Sequence, residues 1–311
     1  MTFQVVPVPS FGAEDVVVGT RGRDEGAVFT GTEDGSIYRV SHDGRRIDRV
    51  TQTRGRPLGI EIDLDGRLLV CDAHRGVLRI DTARGTVEPV TDSVAGRRMV
   101  FCNNAAIASD GTVWLSDSSK VYGIEQWKDD FVQRTRTGRL LRMATDGVIE
   151  VVLEGLTFAN GVALSRNEDF VAVAETGGRT VVRHWITGNR AGMRDLLCQD
   201  LPGYPDNIAR GSDGLIWVTI ASPIEPLVER LQSAPLFVRK VVTRVPEVLQ
   251  PRPRQTVRVQ GYDDEGRLVH DLDVTPAEYG TTYHMVTGVR EHDGRVWMGS
   301  LHEPAIAVLD L

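Results

Sequence analysis

Cysteine is scarce and odd in number: Cys71, Cys102 and Cys198 lie far apart, each inside an apolar run. That excludes a fully paired disulfide framework and offers no zinc-type pairing, so three buried free thiols are expected. Long apolar runs are missing too, and no stretch approaches the roughly 18 apolar residues that cross a bilayer. The opening MTFQVVPVPSFGAEDVVV has no basic start, no long apolar core and two early prolines, which argues against a secretory signal. No basic face is concentrated anywhere and the net charge is -7, which argues against nucleic acid as the main partner. Together these absences lead to the expectation of a soluble, cytoplasmic protein with no transmembrane segment.

What is abundant points one way. Aromatics are only 6% of the residues, while 32 glycines punctuate short runs of Val, Leu, Ile and Thr, which favours an all-β chain with many tight turns. Five segments share one form: PLGIEIDLDGRLLVCD from Pro57, CNNAAIASDGTVWLSD from Cys102, ANGVALSRNEDFVAVAE from Ala159, PDNIARGSDGLIWVTI from Pro205 and MVTGVREHDGRVWMGS from Met285. Each is an alternating strand, a turn rich in Asp, Asn and Gly, and a second alternating strand, the pattern of a β-hairpin. FGAEDVVVGTRGRDEGAVFTG fits as a sixth copy with a longer turn.

Counting back seven residues from each turn Asp or Asn reaches Leu58, Asn103, Asn160, Asp206 and Val286, with Glu14 in that place in the N-terminal copy. Three of the steps between these positions are about 45 residues, the period of one four-stranded propeller blade. Six copies predict a six-bladed β-propeller, one domain over residues 1–311. GSIYRVS, GVLRIDT, GRLLRMA and TVVRHWI supply further strands, and TFQVVPV is expected to close the ring within the sixth blade. The two longer steps hold insertions. Residues 120–136 read as a loop at one mouth. Residues 221–258, with Leu227, Leu231, Leu236 and Val241 at roughly helical spacing, read as a helical cap, a substrate lid or a membrane-surface patch.

Equivalent positions on innermost strands face one channel. Four of the six here, Glu14, Asn103, Asn160 and Asp206, offer oxygen. Two buried carboxylates near one axis repel unless a cation lies between them, and an oxygen set without His or Cys suits Ca²⁺, with Mg²⁺ or Mn²⁺ as alternatives. Taken singly, Asn160-Gly161 is also a common turn dipeptide and Asp206-Asn207 a loop cap. Asp117 and Glu175 end equivalent strands and can orient ligands from behind or cap turns. Asn104 and Asn207 follow two candidates and can reach a second ion or the substrate. His74, His284 and His302 are isolated, and Ser118 and Ser119 lack a nucleophile elbow, which argues against a serine hydrolase.

The runs FANGVALS, VAET, LPGYPDNI, SDGLIWV, LSDSS and EHDGRVWMGSLHEPAIAVL together resemble the strictosidine synthase-like branch of the six-bladed calcium propellers. That branch is related to the gluconolactonase/SMP-30 and paraoxonase families, and the likeness is greatest to the adipocyte plasma membrane-associated type, here without an N-terminal anchor. The resemblance implies Ca²⁺ at the channel floor on Glu14, Asn103, Asn160 and Asp206. It further implies that the ion polarises a lactone or ester carbonyl, or a phosphoryl oxygen, with Asp206 as nucleophile or general base. Two positions depart from it. Thr287 stands where true strictosidine synthases carry a catalytic glutamate, and Leu58 where paraoxonases carry a key histidine.

The leading expectation is a calcium-dependent hydrolase of lactones or small esters acting on a small-molecule substrate. The alternatives are a condensing enzyme of the synthase type, disfavoured by Thr287, and a non-catalytic propeller that uses calcium structurally.

Overall fold

In the computed structural model, residues 2–245 and 254–311 are described. Their strands form six four-stranded antiparallel sheets, and a two-residue ribbon joins Ser93–Val94 to Arg97–Arg98. Blade 1 runs Val16–Val18, Val28–Gly31, Ser36–Val40, Ile47–Gln52, and blade 2 runs Pro57–Ile62, Leu68–Asp72, Gly76–Asp81, Thr86–Thr91. Blade 3 comprises Cys102–Ile107, Val113–Asp117, Gly138–Met143 and Ile149–Leu156, and blade 4 Ala159–Leu164, Phe170–Glu175, Thr180–Trp185 and Arg194–Cys198. Blade 5 follows with Gly203–Arg210, Ile216–Pro223, Val257–Tyr262 and Leu268–Val274. Blade 6 takes Val286–His292, Arg295–Ser300 and Ala305–Asp310 and borrows Phe3–Pro7, which pairs antiparallel with Ala305–Leu309. The six-bladed propeller is the observed fold, and the N-terminal strand closes it.

The hairpin turns repeat one chemistry. Asp110 Oδ1 accepts the Thr112 N–H at 2.8 Å and Asp213 Oδ1 the Leu215 N–H at 2.9 Å, while Gly111 and Gly214 take φ of 88° and 85°. The aspartate closes the turn and only glycine enters that left-handed region without strain.

There is no single core. Among the described residues the buried side chains gather in six apolar layers, one between each pair of neighbouring blades, including the closing layer of Val6, Val16, Val28, Trp297 and Ile306. A seventh cluster, Leu58, Ala73, Phe101 and Phe158, lies apart from these layers. Cys71, Cys102 and Cys198 are free and buried, as their apolar surroundings in the sequence imply.

The insertions build short helices. Residues 120–136 are more than a loop, since they contain α1 (Trp127–Gln133), whose Phe131 is buried. The larger insertion contributes α2 (Pro226–Gln232) and α3 (Leu236–Val242). The expected single apolar stripe is broken by Ser233-Ala234-Pro235, so Leu231 and the half-exposed Leu227 line a cavity, while Leu236 and Val241 are exposed and do not line it. Residues 246–253 of that insertion lie outside the described residues. The helices are tied together: Gln232 Nε2 donates to Phe131 O at 3.0 Å, and Gln133 Nε2 to Thr243 Oγ1 at 3.0 Å. No helix among the described residues is long and apolar enough to cross a membrane.

Candidate functional site at the channel floor

The innermost strands of blades 2 to 6 share one irregularity. Regular pairing breaks after Pro57, Cys102, Ala159, Pro205 and Val286 and resumes at Ile60, Ala105, Val162, Ile208 and Val289. The two intervening residues form a bulge, which frees backbone groups and re-aims side chains. On these bulges lie Leu58-Gly59, Asn103-Asn104, Asn160-Gly161, Asp206-Asn207 and Thr287-Gly288. The sixth equivalent is therefore Thr287 rather than Val286. Blade 6 has a shorter turn, with four residues between the paired Glu291 and Val296 against five between Arg210 and Ile216, so a count back from the turn lands one residue early.

Second bulge positions alternate between glycine and a polar residue around the ring, and sterics explain why. A Cβ on Gly161 would stand 2.0 Å from Ile208 N, one on Gly59 2.6 Å from Asn104 Cα, and one on Gly288 2.5 Å from Asp15 Cα. The even blades give up a side chain so that the odd blades can bring Asp15, Asn104 and Asn207 to the axis.

Glu14, Asn103, Asn160 and Asp206 come together and line the floor of one cavity of about 400 Å³. Leu58 lines it as well, and Val286 does not. Asn103 Nδ2 donates to Ser118 Oγ at 2.9 Å and Asn160 Nδ2 to Thr176 Oγ1 at 3.2 Å, which fixes both amides. Their carbonyl oxygens Asn103 Oδ1 and Asn160 Oδ1, together with Glu14 Oε2, are buried and have no partner. Three orphaned acceptors on one floor are costly unless a donor or cation meets them. Among the described residues no group of three or more His, Cys, Asp or Glu gathers as a metal site, because this floor holds two carboxylates and two amides. An oxygen-only set of that kind fits a hard divalent ion.

Electrostatics agree. Burial, then Asp206, then Asp15 push the Glu14 carboxyl well above its usual range. Burial likewise pushes Asp206 up to about 7, with Asp15 adding repulsion, while the Asn160 amide and the Asn207 N–H pull it down. Asn207 has both side-chain polar atoms unpartnered, and its amide lies beside Glu14, favouring the charged carboxyl without reaching hydrogen-bond geometry.

Other sequence candidates have different surroundings. Asn104 does not line the cavity: it donates to Asp15 Oδ2 at 3.1 Å and accepts the Val162 N–H at 2.9 Å, stapling three blades. Asp117 is held by the Arg139 guanidinium at 2.6 Å and accepts the Phe101 N–H at 2.9 Å. Glu175 accepts the Thr157 N–H at 2.6 Å. Both acids thus pin the loops ahead of the strands that carry Asn103 and Asn160, and the adjacent hydroxyls of Ser118 and Thr176 hold the amides instead. The shared acid-hydroxyl pairs in LSDSS and VAETGG carried that signal in the sequence. Thr287 Oγ1 donates to Glu14 O at 2.8 Å, so it holds the Glu14 backbone and does not line the cavity. His74, His284 and His302 are not isolated, for His74 meets Glu125 at 2.6 Å, His284 meets Glu303 at 2.6 Å, and the rings of His284 and His302 stand 6.0 Å apart.

Asp15 was not among the candidates. It is buried, pushed up to about 7 chiefly by desolvation, and drawn down by Arg290, which pairs with Glu61. Its position directly after Glu14, in the ring that alternates with glycine, is the sequence signal.

The family model described as SMP-30/Gluconolactonase/LRE-like region matches residues 18–229. The adipocyte plasma membrane-associated protein of Rattus norvegicus is 30% identical over 91% of this chain and 80% of its own length. Strictosidine synthase-like protein 10 of Arabidopsis thaliana is 31% identical over 83% of this chain and 70% of its own. Among solved structures, a gluconolactonase from Xanthomonas campestris superposes with a TM-score of 0.71 at 16% identity, covering 99% of this chain and 89% of that one. A calcium-binding regucalcin from Agrobacterium tumefaciens superposes with a TM-score of 0.65 at 12% identity, covering 97% and 90%. At such identities these two likenesses concern the fold alone.

Proposed function

The chain belongs to the SMP-30/gluconolactonase/LRE-like family, and from that premise we propose that it is a calcium-dependent hydrolase of lactones or small esters. The observation that carries this reading is the set of orphaned buried oxygens, Glu14 Oε2, Asn103 Oδ1 and Asn160 Oδ1, grouped with Asp206 at the floor of a cavity. Those four residues would hold the ion. When bound, a divalent cation supplies polarisation of the substrate carbonyl and a counter-charge for the oxyanion.

The chain's own groups do the rest. Asp206 takes a proton from the attacking water as its oxygen bonds to the carbonyl carbon. The ring or ester C–O bond then breaks, and Asp206 returns the proton to the leaving oxygen. Direct attack by Asp206 on the carbonyl carbon is the alternative course, and it would leave an acyl adduct on that side chain. Ser118 and Thr176 keep the amide oxygens turned to the floor, and the insertion helices lend apolar side chains to the chamber wall. Thr287, with its hydroxyl committed to Glu14 O, has no carboxylate to serve the condensing chemistry of a synthase.

Hydrolysis of a panel of lactones and aryl esters by chelator-stripped protein, with and without added Ca²⁺, tests the reading. Turnover that requires Ca²⁺ is expected. If no substrate is turned over while Ca²⁺ still raises the melting temperature, the reading fails in favour of a calcium-stabilised binding propeller.

A further inference from the structure

Resting on that hydrolase reading, we infer that the substrate has an unsubstituted alkyl or aryl body, and that polyhydroxylated sugar lactones are rejected. The cavity above the floor is walled by Phe101, Phe158, Trp127 and Phe131, with Leu227 and Leu231 of α2 above them. Phe101 meets Phe158 edge-on at 5.4 Å, and Phe131 meets Tyr204 edge-on at 4.8 Å, so the aromatic walls are braced against one another.

Polar side chains also line this space, Lys128, Asp129 and Ser222 among them, and four others are engaged within the protein. Tyr204 OH donates to Glu229 Oε1 at 2.9 Å. Glu225 pairs with Arg254 at 2.9 Å. Thr243 Oγ1 accepts from Gln133 at 3.0 Å and donates to Lys240 O at 3.2 Å. Thr176 is occupied by the Asn160 amide. A substrate entering this chamber therefore finds orphaned acceptors at the floor and walls made mainly of aromatic and aliphatic side chains, with Lys128, Asp129 and Glu225 as their charged members. The ester or lactone group belongs on the floor, where its oxygen can be polarised. A hydroxyl held against those aromatic and aliphatic walls would give up its water without gaining a partner, whereas a methylene there would gain by leaving water.

A volume of about 400 Å³ is enough for a lactone ring with an attached chain or phenyl group. The residues that set this preference are Trp127 from the smaller insertion and Leu227 and Leu231 from the larger. Two insertions far apart in sequence thus build one specificity wall.

The test is kcat/KM with Ca²⁺ for γ-lactones carrying no side chain through a six-carbon chain, alongside gluconolactone. The expected result is a rise of about fourfold per added methylene over the first few carbons. Gluconolactone should fall at least a hundredfold below the best alkyl lactone, and Leu231→Gln should flatten the chain-length dependence. A flat or falling series, or a preference for gluconolactone, overturns the inference and leaves the hydrolase reading standing. If nothing is hydrolysed, that reading fails, and the chamber is tested by titrating 2-decanone against tryptophan fluorescence. A saturable change that Trp127→Phe removes upholds the ligand class, and no change overturns it.

Discussion

Asp206→Asn should act in opposite directions with and without calcium, and that sign reversal distinguishes a metal floor from a merely polar one. In the metal-free protein at pH 8, Asp206 carries a charge at the half-buried floor, disfavoured by desolvation and by Asp15, and that charge pushes the Glu14 carboxyl up in turn. Replacing Asp206 by an amide of the same shape removes that repulsion, and a gain of about 2 kcal/mol is reasonable against the several kcal/mol that an uncompensated buried ion costs. An unfolding entropy of about 2.1 cal/mol/K per residue implies roughly 0.65 kcal/mol per degree for a chain of 311 residues. The metal-free variant should therefore melt about 3 °C above the metal-free wild type. Calcium at a hundred times its dissociation constant should stabilise the wild type by about 2.7 kcal/mol, or about 4 °C, and the variant hardly at all. Scanning fluorimetry on chelator-treated protein with added CaCl₂ measures all four states. Equal calcium shifts in both proteins would refute the ligand assignment, and a metal-free variant less stable than wild type would refute the repulsion.

Three further outcomes follow from particular contacts. Ser118→Ala and Thr176→Val each remove the acceptor that fixes a floor amide; calcium affinity by isothermal titration should fall about tenfold, with about 1 kcal/mol lost in urea unfolding. Gly161→Ala places a Cβ 2.0 Å from Ile208 N and 2.4 Å from Asn207 Cα, both backbone atoms, so blades 4 and 5 must separate at the axis; a loss of about 3 kcal/mol or more in chemical denaturation is expected. His184 has a buried, unpartnered Nδ1 and packs 6.3 Å from Trp114, and burial lowers its pKa below the usual 6.5. The unfolded chain then binds the proton more readily, so its contribution is present above pH 6.5 and is lost as pH falls through the folded value. The melting temperature should drop between pH 7 and pH 5, by less in His184→Gln.

The recurrence of alternating strands about an Asp-Gly turn every 45 residues or so was legible because a blade is a local object. Its hairpins are written in contiguous residues, and turn chemistry fixes their length. The oxygen-bearing positions Glu14, Asn103, Asn160 and Asp206 were legible for the same reason, since one repeat predicts the next. The reading slipped where the repeat itself changed. Blade 6 has a shorter turn, so the count placed Val286 at the ring where pairing puts Thr287. Behind Asn103 and Asn160 the repeat is also off by one residue, for the hydroxyls of Ser118 and Thr176, and not the carboxylates of Asp117 and Glu175, meet the amides. Along a strand end, adjacent residues face opposite ways, and only coordinates say which one looks inward.

By itself, then, the sequence determined the blade, the number of blades, the strand that closes the ring and the oxygen atoms offered to the axis. The blade, the count and the oxygen positions depend on neighbours within one repeat and on the physics of turns and alternation, and the closing strand, Phe3–Pro7 against Ala305–Leu309, follows from leaving no sheet edge open. Only the tertiary structure decided what the floor lies beneath. Between α1 and α2 lie the last two strands of blade 3, all of blade 4 and the first two strands of blade 5, yet α1, α2 and α3 meet and share hydrogen bonds. No local pattern encodes that meeting, because it arises when closing the ring brings distant loops to one mouth. The same closure buries Glu14, half-buries Asp206 and makes a largely apolar chamber from side chains that the sequence presents as scattered.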